Sequence, residues 1–430
     1  MNLAKKRLIG ASLAAASVVA SLAGCATTNS AGTDGADGVL TLWTHNAGNQ
    51  AELDAIEAIV TDYNASQDET TVEVQAFPQG SYNDSVVAAA AANKLPCIVD
   101  IDGPNVPNWA WAKYLAPLEL SVDLEKHLPS TLGVWNDETY SVGYYDVALA
   151  TFARKSVLDE AGIRVATMEE PWTAEEFDDA LKTLKADGTW DYPLDLGTAG
   201  TGEWLPYAYS PFLQSFGGDL IDRSDFQSAE GVINGPEALA WAEWFQGVID
   251  NEYAAAKSGT DSTLDFQNGQ SAILYTGSWA ATSTREVLGD DLVVMPTVDF
   301  GTGPKIGGGS WQWGISESCD AADGARAYLE FSFKPEYIAA FADKQVVIPA
   351  TAEAEELSEN FGEGDPLQPF VELSQRYALE RPPTPAYPVI SSVFERAAKD
   401  IMNGADVQST LDQAVQEIDA NIESNDGYGF

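Results

Sequence analysis

The sequence predicts an α/β protein of two lobes, each a mostly parallel sheet flanked by helices. Two observations predict it. From residue 39 onward short strand-like runs alternate with helical ones, the pattern of a parallel sheet covered by crossover helices. The chain has 430 residues, too many for one compact core, and 45% of them are apolar, enough to fill two.

The elements follow in chain order. Val39–His45 and Thr71–Phe77 read as strands, with Glu52–Asn64 between them as an amphipathic helix. Helix Tyr82–Asn93 leads to the apolar run Cys97–Ile101, and together these make a βαβαβ unit. Ser141–Phe152 is a long β-rich run, followed by a short helix, Lys155–Ala161, that ends at Gly162. Thr173 caps Ala174–Ala186, and Glu176 three residues later completes a capping box. Pro236–Asn251 is helical. Strand-like runs return at Ser271–Tyr275, Asp291–Pro296 and Ser310–Ser316. Helices follow at Ala321–Phe333, Pro335–Asp343, Pro366–Leu379, Ile390–Asn403 and Val407–Ile422. There is no internal repeat.

The N-terminus carries its own signal. Lys5, Lys6 and Arg7 precede an apolar run, residues 8–23, that is too short to span a bilayer and reads as a secretory signal. It ends in Leu22-Ala23-Gly24-Cys25, which resembles the lipobox of bacterial lipoproteins. That resemblance implies a signal peptide over residues 1–24 and diacylation of Cys25. Two acyl chains, at roughly 0.8 kcal/mol per buried methylene, suffice for a stable membrane anchor. Residues 25–38, small and polar after the Cys, read as a flexible tether.

The formal charge is −44. Loss of residues 1–24 removes three cations and no anion, so the mature chain carries −47. Such a balance argues against nucleic acid as a partner and against adhesion to an anionic membrane surface. Asp and Glu are scattered along the chain, as on a solvated acidic surface. After Cys25 two cysteines remain, Cys97 and Cys319, which form either one disulfide or two buried thiols.

Six segments, in order, resemble the carbohydrate-binding, maltose-binding-protein-like group of extracellular solute-binding proteins, across residues 39–425. Leu40-Thr41-Leu42-Trp43 looks like the family's first strand. YSVGYYDVALATFARKSVLDEAGI, residues 140–163, is similar to its inter-lobe crossing, and PWTAEEFDDALKTLKADG, 171–188, to the helix after it. FQNGQSAILYTGSWA (266–280) is the most specific match. GGGSWQWGIS (307–316) resembles the strand that returns to the first lobe, and RPPTPAYPVISSVFERAAKDIM (381–402) the start of a C-terminal helix. Ala153 and Arg154 depart from the family, whose members often carry Tyr-Asn there.

The resemblance implies a periplasmic-binding-protein-like fold with a ligand cleft between the lobes. It divides the chain into 39–147 plus 305–350 and 148–304 plus 351–430. It also implies that Cys97, at the start of the third strand, meets Cys319, just past the antiparallel returning strand, so the pair is expected to be a disulfide.

Sugars are held by aromatic rings against their C–H faces and by planar polar groups on their hydroxyls. In open α/β sheets ligands lie at the carboxyl ends of strands. That rule selects Trp43, His45 and Asn46 after the first strand, and Asp102 and Asn105 after the third. The resemblance places Trp279 and Trp311 on the cleft and Tyr387 at a stacking position. Trp313 shares a strand face with Trp311 and reads as either cleft or core. GEWLPYAYSP (202–211) reads as a cleft loop carrying Glu203, Trp204, Tyr207 and Tyr209. Asp146 is either a ligand contact or a buried structural acceptor. Gly308 and Gly309, with Gly307, either admit a ligand close to the backbone or let a hinge bend.

The expected function is capture of a neutral oligosaccharide and its delivery to the permease subunits of an ABC transporter, by a monomer anchored on the outer face of the cytoplasmic membrane. No catalytic residue, cofactor or metal set is expected. The sequence lacks G-x-S-x-G and H-E-x-x-H and has two histidines, His45 and His127, which leaves little support for a secreted glycoside hydrolase. A polyamine, peptide or metal ligand is the alternative within binding proteins.

Overall fold

Strand Val39–Thr44 alternates in burial, with Leu40 and Leu42 wholly inside, and it organises the first sheet. It lies between Thr71–Ala76 and Ile98–Asp102, parallel to both. Helices Gln50–Ser66 and Gln79–Ala91 make the two crossovers, so the βαβαβ unit forms as the pattern predicts. The protein is described by a computed structural model over residues 38–429. The signal peptide, Cys25 and the tether up to residue 37 lie outside the described residues.

Beyond that unit the sheet is mixed rather than mostly parallel. Trp311–Ser316 enters antiparallel beside Ile98–Asp102, then Glu138–Val142 and Leu132–Trp135 follow, also antiparallel. The reason lies in the connections. Parallel neighbours need a long crossover, whereas Leu132–Trp135 and Glu138–Val142 are joined by Asn136-Asp137 alone. Both turn residues have positive φ, 50° and 62°, the tight hairpin geometry that Asn and Asp tolerate. The second sheet, Leu292–Met295, Leu149–Arg154, Ile273–Gly277 and Leu194–Asp195, has one parallel contact and two antiparallel ones.

Each sheet has its own core. Ile98–Asp102 is buried at every residue because both faces are covered: Ile98 joins a cluster with Leu40, Leu42 and Ile315, and Val99 joins one with Tyr82 and Trp109. Around the second sheet pack Phe152, Trp172, Phe177, Trp241, Phe245 and Phe394. At the crossings Ile306 and Ile348 belong to this second core and Ala354 to the first.

Most helices end where local chemistry places them. Thr173 and Glu176 form the capping box of Ala174–Asp187, and Gly162 closes Lys155–Ala161 in the left-handed region, φ 67°. Residues 202–211 are the exception. Expected as a loop, they run instead into helix Trp204–Phe216, whose residues Leu205–Ser215 are all buried. Pro206 sits in its first turn, where no intrahelical N–H bond is lost, whereas Pro211 lies inside the helix and forgoes one such bond within a fully buried stretch.

Ser316 N donates to the Cys97 carbonyl at 3.0 Å, and the two cysteines flank that contact. Cys97 and Cys319, 222 positions apart in sequence, are joined as a disulfide with Cα atoms 4.7 Å apart. A chain lacking residues 1–25, denatured without reductant, is therefore expected to present no free thiol. After reduction its melting temperature should fall, in line with the roughly 2–4 kcal/mol that such a link contributes. Titration of two thiols before reduction would refute the link.

Candidate functional site

A cavity of about 860 Å³ opens where the two cores face each other. Its first wall comes from the carboxyl ends of parallel strands: His45 and Asn46 after Val39–Thr44, and Asp102 at the end of Ile98–Asp102. Asn49, Glu52 and Gln79, at the starts of the two crossover helices, extend it, with Gln345 and Val347. The opposite wall is Gly200–Trp204, Tyr207 and Trp279. Trp311, at the start of its strand in the first sheet, adds to the first wall, and Tyr145, Val147, Gly309, Ser310 and Arg381 extend the lining from the segments that pass between the sheets.

Aromatic surface comes from both sides. The Trp311 ring stacks on His45 at 3.6 Å between centroids, 14° from parallel. Across the cavity Trp204 meets Trp279 edge-on at 6.4 Å, and Trp279 keeps 40% of its surface exposed. Charged groups lie between them. Arg381 donates from Nη2 to Asp102 Oδ1 at 3.0 Å and from Nη1 to Glu203 Oε2 at 2.6 Å, with the Tyr207 ring 5.3 Å beneath it. His45 Nδ1 lies 2.5 Å from Asp100 Oδ2, which also accepts from Thr44 Oγ1.

Nine of the residues selected from the sequence line this cavity: His45, Asn46, Asp102, Glu203, Trp204, Tyr207, Trp279, Gly309 and Trp311. Seven do not. Trp43 packs on Phe77 at 4.5 Å, against the cluster that holds Tyr82 and Val99, and does not reach the cavity lining. Trp313 is core, tilted against Tyr144. Tyr209 is fully buried in the helix expected as a loop, its hydroxyl donating to the Leu196 carbonyl. Asn105 is buried in the turn after the third strand. Gly308 pairs with Glu380 in a short parallel ladder. Tyr387 is buried behind the wall and donates to Glu203 Oε2 at 2.7 Å.

Asp146 follows its structural reading: it accepts from Ser130, Ser374, Val147 N and Gly309 N. Gly309 makes that last bond from φ +106°, a conformation open to glycine.

Sequence reasoning missed Arg381, Glu52, Asn49, Gln79, Tyr145, Ser310 and Gln345. One signal was available. Asn49 with Glu52 three residues on is a helix-start pattern, and Asn49 does cap Gln50–Ser66, which carries Glu52 to the cavity.

The sequence profile of the bacterial extracellular solute-binding proteins matches residues 58–366, well over half of the chain. The chain belongs to that family. This solute-binding protein is 24% identical over 336 residues to an uncharacterised lipoprotein encoded in the 5′ region of oleD in Streptomyces antibioticus, a match covering 74% of this chain and 72% of that one. Solved structures of other solute-binding proteins share its fold. The GacH receptor of Streptomyces glaucescens superposes with a TM-score of 0.74 at 20% identity, over 90% of this chain and 97% of that one. The cyclic α-maltosyl-1,6-maltose binding protein of Arthrobacter globiformis gives 0.72 at 24% identity, over 90% and 99%. Both lobes are thus those of a periplasmic-binding-protein-type fold.

In this solute-binding protein, desolvation dominates the titration of the cavity wall. Burial lifts Glu52 to about 7, with Asp100 adding to the rise while His45, Asn46 and Tyr145 oppose it. Burial likewise lifts Asp102 to about 6 against the pull of Arg381. For His45 burial favours the neutral ring, but Asp100, through charge and hydrogen bond, outweighs it and the net shift is upward. His127 is remote from the wall; burial lowers it to about 4.

A Glu52 whose folded pKa stands above its ordinary 4.5 makes the native state the better proton binder between 4.5 and about 7. Its contribution to stability is fully present at low pH and is lost as pH rises through 7. Glu52→Gln is expected to leave the melting temperature unchanged near pH 4 and to raise it at pH 8, by the equivalent of roughly 3 kcal/mol. Thermal unfolding at both pH values checks this; equal effects at both would refute it.

Proposed function

We propose that this protein captures a neutral oligosaccharide in the cavity between its lobes and hands it to the permease subunits of an ABC importer. The observation that carries the reading is aromatic surface on both walls, Trp311 on one and Trp204 with Trp279 on the other, around a polar floor. Stacking and hydrogen bonding together are what a pyranose requires. Several lining residues also hold buried polar atoms without a protein partner, among them Asn46 Oδ1, Ser310 Oγ and the Tyr207 hydroxyl. A ligand rich in hydroxyls would satisfy them.

The relatives support the same ligand class. The GacH receptor is known in complex with acarbose and an acarbose homolog, and the Arthrobacter protein binds cyclic α-maltosyl-1,6-maltose. In this reading ligand bridges both walls and favours the closed state. The division of lobes at 39–147 plus 305–350 and 148–304 plus 351–430 is supported by the membership of the cores, apart from the exchanges at the crossings. Cys25 would carry the lipid anchor, holding a non-enzymatic monomer on the outer face of the cytoplasmic membrane.

One observation favours a second reading, a polyamine. Glu52, Asp102 and Glu203 all line the cavity, and Glu52 is held by amide and phenol groups rather than paired to a cation.

A thermal-shift panel separates the two. A neutral oligosaccharide of one linkage class should raise the melting temperature, by about 2.7 kcal/mol of stabilisation at a hundredfold excess over Kd. Chromatography of the bound sugar should show no cleavage products. A shift with polyamines and with no sugar would overturn the ligand class. With the active sugar, Trp279→Ala should weaken binding about tenfold, roughly 1.4 kcal/mol. Its ligand-free melting temperature should stay close to that of the parent, because the ring is partly exposed.

A further inference from the structure

Arg381 leaves strand Ala378–Glu380 and enters the floor of the cavity with its side chain 7% exposed. On its own side it is held by Glu203, the residue before helix Trp204–Phe216. Glu203 is in turn fixed by the Tyr387 hydroxyl at 2.7 Å and by Ser391 Oγ. From that seat the guanidinium reaches across to the first sheet. It makes a two-pronged contact with Asp102, Nη2 to Oδ1 at 3.0 Å and Nη1 to Oδ2 at 3.3 Å, and the Asp102 side chain is 6% exposed. Planar, two-pronged pairing fixes angle as well as distance.

We propose that Arg381 and Asp102 form an ionic clasp across the cleft floor that sets the balance of open and closed forms before any ligand arrives. Glu203 positions the clasp and Asp102 is its catch. The two charges lie in a desolvated place: loss of the Asp102 charge leaves Arg381 paired with Glu203 on its own side and unlinks it from the first sheet, and loss of Arg381 leaves buried Asp102, and Glu203 beside it, without their cation. For a hinged protein the least costly relief is to separate the walls and let water reach both groups. With the clasp intact the walls stay close, and a larger share of the free protein is competent to bind. Apparent affinity rises with that share whatever the ligand is. The clasp is independent of the ligand class argued above, and its test uses no ligand.

Small-angle X-ray scattering on the chain lacking residues 1–25, free of ligand, reads the effect. Asp102→Asn keeps the shape of the catch and removes its charge, and Arg381→Met removes the clasp itself. Both are expected to shift the radius of gyration to larger values than that of the parent, with circular dichroism showing a folded chain. A merely structural role would lower the melting temperature and leave the radius unchanged. If Arg381→Met fails to fold, folded Asp102→Asn decides. An unchanged radius in Asp102→Asn overturns the proposal, and an increase supports it.

Discussion

The strand Trp311–Ser316 is the constraint on which the architecture turns. The chain reaches it only after the second sheet has been laid down, and it inserts between Ile98–Asp102 and Glu138–Val142. Its register runs from Trp311 opposite Asp102 to Ile315 opposite Ile98. Because side chains alternate faces along a strand, a slip of one residue would turn both tryptophans to the wrong side. In the observed register Trp311 lies at the end of the sheet, against His45, and Trp313 lies deeper, within the core. The same pairing brings Ser316 to the Cys97 carbonyl and so sets Cys319 beside Cys97. Core, cleft and disulfide all follow from one insertion.

The cleft is a place where several costs of burial meet. Parallel strands end there, so backbone and helix starts converge on one spot, and the carboxylates Glu52, Asp100 and Asp102 are carried into a poorly hydrated region. An isolated buried carboxylate is unfavourable, so each has found a different relief. Asp100 is paired with His45, Asp102 with Arg381, and Glu52 leans toward its protonated form. These arrangements leave a wall that is polar without being strongly charged, bracketed by indole rings. A surface of that kind suits a neutral, hydroxyl-bearing solute with apolar faces, where dispersion on the ring and directional hydrogen bonds act together.

What was legible in the sequence was local or periodic. The βαβαβ unit showed in alternating apolar runs, and the capping box at Thr173 and the stop at Gly162 showed in their own residue types. What misled was a local cue whose meaning depends on context. Proline and glycine around 202–211 suggested a loop, yet Pro206 in the first helical turn costs no hydrogen bond and the cost at Pro211 is outweighed by burial of the helix around it. Asn136-Asp137 between two short β-rich runs was a hairpin signal left unread, and with it went the mixed character of the first sheet.

The sequence by itself determined which residues are apolar, where helices start and stop, and that chemistry would gather at the ends of the first and third strands. His45, Asn46 and Asp102 were legible for that reason, since a strand and the residue after it are contiguous in the chain. Only the tertiary structure decided that Trp311 lines the cleft while Trp313 does not. The two share one strand face and differ only in depth, which depends on register with a strand more than two hundred residues away. It also decided that Arg381, Asp102 and Glu203 meet. No periodicity links those three positions, and their contact exists because the segment after Ala378–Glu380 passes between two separately built cores.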